Sequence, residues 1–182
     1  MIVKFIKLNE EFLEIVRKWR NTPEISKHMY TDHYITKKEH KNWFNKMRND
    51  PTKKYWIINL NNKNVGLVSL FDIDRHNKRC YWAYYLADPS SRGIGLGRLI
   101  ELNVYTYVFE KLGLNKLCCE VLAQNQLVVK IHQKYGSKIE GIFRMHIYKN
   151  KIFNDIVCMG ILKEEWEDIR ENFTFNIIDF ED

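Results

Sequence analysis

Between Tyr55 and Ala87 three strand-like runs, YWIINL, VGLVSLFDI and CYWAYYLA, follow one another with only the polar turns NNKN and DRHNKR between them. Runs of this length, parted by short polar turns, read as an antiparallel meander. Whatever else the chain forms must be built around that sheet.

The flanking segments are mostly helical. Upstream, IVKFI (2–6) is β-prone, and Asn9 then offers an N-cap to a helix with Phe12, Ile15, Val16 and Trp19 at helical spacing. That helix should run to about Arg20 and stop before Pro23. TKKE (36–39) forms a capping-box signature ahead of His40, Trp43, Phe44 and Met47. Downstream, Leu99, Leu102, Tyr105 or Thr106, and Phe109 predict one apolar face on a helix from about Leu96 to Leu112. LCCEVLA is a further strand, and Asn125 could cap a helix carrying Val128, Val129 and Ile131. KIEGIFRMHIYK and IFNDIVCMGIL then predict a hairpin around Asn150-Lys151, followed by the short helix EEWEDIR. The order β-α-α-β-β-β-α-β-α-β-β excludes an alternating doubly wound arrangement and predicts one α+β domain over 1–182.

Bulk properties narrow the function. With 182 residues, 45% hydrophobic and 29% charged, the chain is expected to be a single globular domain. A net charge of +6 suits an anionic ligand, but the basic residues are scattered, so nucleic acid is not expected as a partner. Cys80, Cys118, Cys119 and Cys158 make no C-x-x-C pair and have no histidine at zinc spacing, so no metal site is expected. They read as small buried hydrophobes in a reducing cytosol. MIVKFIKLNEEFL has charges through its apolar stretch and no cleavage-site pattern, and no apolar run is long enough to span a bilayer. A soluble cytoplasmic protein is expected, with no membrane partner.

The stretch SSRGIGLGR (90–98) lies after a strand-like run and opens a helical one. That is the setting in which helix N-terminal N–H groups and the macrodipole bind phosphate, and glycines let the backbone approach an anion closely. It is not a Walker A loop, because Arg98-Leu99 follows the last glycine where Lys-Ser or Lys-Thr is needed. It is not a dinucleotide fingerprint either, since Ile100 stands where a small residue is required. The spacing Arg92-x-x-Gly95-x-Gly97 resembles the Q/R-x-x-G-x-G/A loop of the GNAT superfamily of acetyl-CoA-dependent N-acyltransferases, and the resemblance extends along nearly the whole chain.

The resemblance implies a GNAT fold, a twisted, mostly antiparallel mixed sheet of about seven strands flanked by about four helices. It also implies acetyl-CoA as co-substrate, with its pyrophosphate on the backbone of Arg92, Gly93, Ile94, Gly95, Leu96 and Gly97, and Arg98 nearby. The strand around Tyr85, Leu86 and Ala87 would hydrogen-bond the pantetheine arm like an added strand, and an N–H of Leu86 or Ala87 would stabilise the oxyanion. The family pattern N-x-x-A-x-x-L-Y-x-K-x-G-F falls on Asn125, Val128, Ile131, His132, Lys134, Gly136 and Ser137. Its tyrosine, implied to protonate the leaving thiolate, is replaced here by His132, which can donate a proton near neutrality.

WRNTPEISKHM (19–29), ITKKEHKNWF (35–44) and EGIFRMHIYKNKIFNDIVCMGILKEEW (140–166) resemble segments of bacterial N-acetyltransferases acting on nucleotide-linked amino sugars, those of pseudaminic acid biosynthesis among them. This implies a UDP-linked amino sugar as acceptor, met by Arg20, Asn21, Met29, Tyr30, His40, Trp82 and Tyr84. Either Trp82 and Tyr84 or Tyr81, Ala83 and Tyr85 can line the cleft, since alternate residues share a strand face. Glu120 is the first candidate for the base that deprotonates the amine, with His146 or His40 as substitutes. Direct attack in a ternary complex is expected, because Cys118 and Cys119 sit mid-strand with no evident base beside them. Rival acceptors are a ribosomal-protein N-terminus or a polyamine. A non-catalytic acyl-CoA-binding module is the non-enzyme alternative, and a homodimer is the oligomer considered.

Overall fold

In a computed structural model describing residues 1–182, seven strands make one sheet in the order β1-β2-β3-β4-β5-β7-β6. They are β1 (Val3–Lys7), β2 (Lys54–Leu60), β3 (Lys63–Asp74), β4 (Arg79–Leu86), β5 (Lys116–Leu122), β6 (Lys138–Lys149) and β7 (Ile152–Leu162). The β4–β5 ladder is parallel and joins Arg79–Tyr81 to Lys116–Cys118. The pairs β1–β2, β2–β3, β5–β7 and β6–β7 are antiparallel. Two hairpins turn on residues with positive φ, Asn61 and Asn62 (49° and 65°) and Asn150 and Lys151 (51° and 63°). Two successive left-handed residues give a tight turn the twist that antiparallel strands need.

Six helices accompany the sheet rather than about four: α1 (Leu13–Arg20), α2 (Pro23–Ser26), α3 (Lys37–Met47), α4 (Leu96–Thr106), α5 (Gln126–Lys134) and α6 (Lys163–Arg170). The addition within the early helical region is α2, a single turn opened by Pro23, whose fixed φ and missing N–H suit a first helical position. Asn9 caps a 3₁₀ turn ahead of α1 by accepting from the Glu11 N–H at 2.9 Å. Thr36 accepts from the Glu39 N–H, but the Glu39 carboxylate pairs with His33 instead of closing the box.

The chain divides into two compact units. The first comprises Met1–Ile73, Trp82–Leu96 and Ile178–Asp182. Its core packs Leu8, Val16, Phe44, Met47, Ile57 and Leu67 together. Tyr85 and Trp19 lie against that core. Gly66 on β3 is obligatory here, because a Cβ at that position would stand 2.2 Å from the Tyr85 carbonyl oxygen.

The second unit comprises Asp74–Tyr81 and Gly97–Ile177. In it α4 is buried from Ile100 through its end, instead of presenting the single apolar face expected from the sequence. Burial on every side requires its polar residues to find partners. Asn103 Nδ2 donates to Leu99 and Asn176 carbonyls, and Thr106 Oγ1 to Leu102. Glu101 is bonded by side chains. Tyr105 packs edge-on against Trp166 of α6 at 5.4 Å.

Candidate active site

The glycine stretch is anchored from below. Asp88 accepts from the Ser90 N–H, and Ser91 Oγ donates to the Asp88 carbonyl at 2.6 Å, fixing a 3₁₀ turn over Pro89–Ser91. Beyond it Gly93 and Gly95 hold φ of 75° and 85°, which L side chains adopt only with strain, and no atom lies within 4 Å of where a Cβ would stand. Leu96 is buried and starts α4. The first N–H groups of a helix have no partners within it, so the loop delivers donors and the positive end of the dipole to one exposed place. These are the requirements of a pyrophosphate cradle. Of the backbone donors assigned to it, the Arg92 N–H is committed to the Pro89 carbonyl at 3.1 Å and is not available to an anion, and the side chains of Arg92 and Arg98 are turned elsewhere. Arg92 folds back so that Nε and Nη2 donate to the Leu86 carbonyl at 3.2 and 2.7 Å. Arg98 donates to the Thr174 carbonyl and lies over the Phe173 ring.

The end of β4 corrects one expectation. The Ala87 N–H donates to the Val65 carbonyl at 2.7 Å, so it is committed to β3 and is not an oxyanion donor. By strand alternation Leu86 and Tyr84 direct their backbone groups to the opposite edge, where the ladder to β5 ends at Tyr81. Trp82 is also reassigned. It is 2% exposed and stacks on Tyr84 at 5.6 Å, so the Trp82 ring is core, while Tyr84 is half-buried.

Arg20 lies in the first unit. Its Nη2 donates to Thr31 Oγ1, while its Nε is buried with no partner. The Tyr85 hydroxyl is likewise buried and unbonded, and burial pushes its pKa well up. His40, also buried, stacks on Trp43, and burial followed by the charges of Arg20 and Arg17 pushes its pKa down. Asn21 is a structural clamp rather than a ligand contact: its side chain accepts from the Ile35 N–H and donates to the Ile35 carbonyl. Met29 is half-buried, and Tyr30 is exposed.

In the second unit His132 lies inside the protein, 4% exposed. Its Nδ1 is 2.9 Å from Glu101 Oε1. Tyr105 donates to the same Glu101 oxygen at 2.7 Å and meets Ser137 Oγ at 3.0 Å. Glu101 Oε2 is buried without a partner. Burial alone would lower the His132 pKa, but the hydrogen bonds to Cys119 and Glu101 and their charges outweigh it and hold it up at about 10. Cys118, across the strand, has its pKa raised by burial. Glu101 was missed by sequence reasoning, although a carboxylate inside the apolar run LIELNVY was a signal.

The remaining candidates are dispersed. Asn125 precedes α5 as expected, but its side chain makes no capping bond; its carbonyl accepts from Val128 and Val129 instead. Val128 is half-buried. Glu120 is half-buried on β5 opposite Cys158, and after burial and Cys118 it is among the groups that raise the Tyr81 pKa. His146 is exposed beside Phe143.

Residues 4–138 match the family described as Acetyltransferase (GNAT) domain. The chain belongs to this acetyltransferase family. Among its GNAT relatives, Acetyltransferase PseH of Campylobacter jejuni (strain 81-176) is 31% identical over 130 residues, 71% of this chain and 79% of the relative. Spermidine N(1)-acetyltransferase of Escherichia coli K12 is 23% identical over 90% of this chain and 88% of its own. The crystal structure of the Vibrio cholerae spermidine N-acetyltransferase with CoA and spermine superposes with a TM-score of 0.84 at 20% identity, covering 91% of this chain and 98% of that one. As a GNAT enzyme the protein uses acetyl-CoA. No helix is long and apolar enough to cross a membrane.

Proposed function

We propose that this acetyltransferase transfers the acetyl group of acetyl-CoA to the 4-amino group of a UDP-linked amino-dideoxy sugar, as in the pseudaminic acid biosynthesis that serves flagellin glycosylation. The 31% identity to the PseH acetyltransferase, over most of both chains, carries the sugar reading. The Arg20 site supports it. A guanidinium with a buried, unbonded Nε beside the unbonded Tyr85 hydroxyl suits an anionic, hydroxyl-rich acceptor, and a cation there repels a polyamine.

The two compact units together are read as one GNAT domain over 1–182, working in the cytoplasm. Glu120 remains the residue proposed to take the amine proton, because it is a half-buried carboxylate on β5. A homodimer fits the hairpin of β6 and β7, where Ile142, Met145, Tyr148, Ile152 and Phe153 are exposed together.

Polyamine acetylation is the second reading, favoured by spermidine acetyltransferases that match nine-tenths of the chain. Thiol release from acetyl-CoA, measured in parallel with a UDP-4-amino sugar, spermidine and an N-terminal peptide, tests both. Preference for the UDP sugar in kcat/KM is expected, and preference for spermidine would replace the first reading with the second.

A further inference from the structure

We infer that Tyr81, not His132, gives the departing CoA sulfur its proton. It does so from a floor shared with Glu120 where the β4–β5 ladder ends, and so rests on Glu120 as the base proposed above. The position that the family pattern reserves for this donor is closed here. His132 is 4% exposed and its Nδ1 is tied to Glu101, which is bonded in turn by Tyr105, itself held by Ser137. A proton donor must reach the reacting atoms, so it has to come from another element.

β4 offers one. Tyr81 and Cys118 form the last pair of the parallel β4–β5 ladder. Register partners point to one side of a sheet, and so do alternate residues of a strand. Through Cys118, then, Tyr81 shares a side with Glu120, and Glu120 is paired with Cys158 on β7, which makes a row across three strands. All of these residues belong to the second unit. The row is open to solvent: Tyr81, Glu120 and Cys158 are half-buried, whereas the adjacent Trp82 points the other way and is 2% exposed. Charges felt at the Tyr81 hydroxyl agree with this placement. Burial raises its pKa, and Cys118, Glu120 and Cys158 raise it further, against the pull of Arg79 on its own strand. Lys116, on the same side, is paired with Glu140 at 2.6 Å. The phenol therefore keeps its proton at neutral pH, and its hold weakens once Glu120 is neutralised by the proton of the amine.

The chemistry balances without an added reagent. The amine attacks the thioester carbonyl while Glu120 takes its proton. The carbon–sulfur bond breaks with its electron pair on sulfur, and Tyr81 Oη protonates that sulfur. The phenolate regains a proton from Glu120 through solvent at this half-open face. Amine and thioester become amide and thiol, and the protein ends as it began.

Tyr81→Phe should lower kcat by about 100-fold or more while calorimetry still shows acetyl-CoA binding. The deciding readout is the alkaline limb of the pH–kcat profile, because the donor works only while protonated. A fluorinated tyrosine in place of Tyr81, with a more acidic phenol, should move that limb to lower pH, whereas a ring that merely fills space leaves it where it was. Should Tyr81→Phe fail to fold, the fluorinated chain still decides. Wild-type kcat in Tyr81→Phe, or a limb that ignores the fluorine, would overturn Tyr81 as the donor. Glu120→Gln, measured beside it, should erase the acidic limb. Wild-type kcat in Glu120→Gln sinks the proposed base, whereas wild-type kcat in Tyr81→Phe alone sinks this inference and leaves the base standing.

Discussion

His132 Nδ1 stands 2.9 Å from Glu101 Oε1, with the carboxylate wholly excluded from solvent and the imidazole nearly so. A buried pair of this kind is costly to break from one side, because the remaining charge stays desolvated. Glu101→Gln is expected to lose about 3 kcal/mol of folding stability at neutral pH. A histidine raised from about 6.5 in the unfolded chain adds stability that is full below that pH. That stability is lost as pH climbs through the folded value of about 10. Wild-type unfolding free energy should therefore fall between neutrality and that pH, while the variant's curve is flatter; parallel curves from urea titrations would refute the linkage.

Gly95 holds φ at 85° in the exposed loop, so Gly95→Val strains the backbone where donors must converge on an anion. Acetyl-CoA KM should rise about 10-fold or more, because a hydrogen bond to a charged group contributes about 1.5–3 kcal/mol. Circular dichroism should report an intact fold. An unchanged KM would remove the loop from the cofactor site.

Arg20→Met removes the guanidinium whose Nε has no partner. Acceptor KM is expected to rise by about 10-fold or more with acetyl-CoA KM unaltered. A shift in both constants would place Arg20 outside the acceptor site.

At Gly66 the nearest obstacle to a Cβ is backbone, which cannot swing aside. Gly66→Ala should cost about 2 kcal/mol or more in a chemical denaturation midpoint analysis. A neutral result would mean that β3 and β4 separate freely here.

Phe143→Glu places a charge on the exposed apolar hairpin. If that face joins two copies, sedimentation should show a dimer for the wild type and a monomer for the variant, and identical sedimentation would dismiss the interface.

The order of elements was readable because alternation, caps and turn residues act locally. Asn9, Thr36 and the Asn150-Lys151 turn all sit where their chemistry demanded. Long-range contacts were not readable. Nothing in the strand run CYWAYYLA distinguishes Trp82, which is core, from Tyr85, whose hydroxyl is buried next to Arg20's surroundings and unbonded. The commitment of the Ala87 N–H to Val65, and of Asn21 to Ile35, depends on segments far apart in the chain. His132 was identified from its place in a pattern. Its partner Glu101 comes from another element, and pairing between elements leaves only a weak mark in a single sequence.

Because α4 is enclosed from Ile100 to its end, the amides that follow Gly95 and the buried Glu101 carboxylate are carried on one helix. Gly97 and Glu101 are four residues apart, about 6 Å along the axis. An anion docked at the head and the proton on His132 must then attract one another electrostatically, and the attraction is mutual. An anion bound there would tighten the hold on that proton, and alkaline titration of the imidazolium would loosen the hold on the anion.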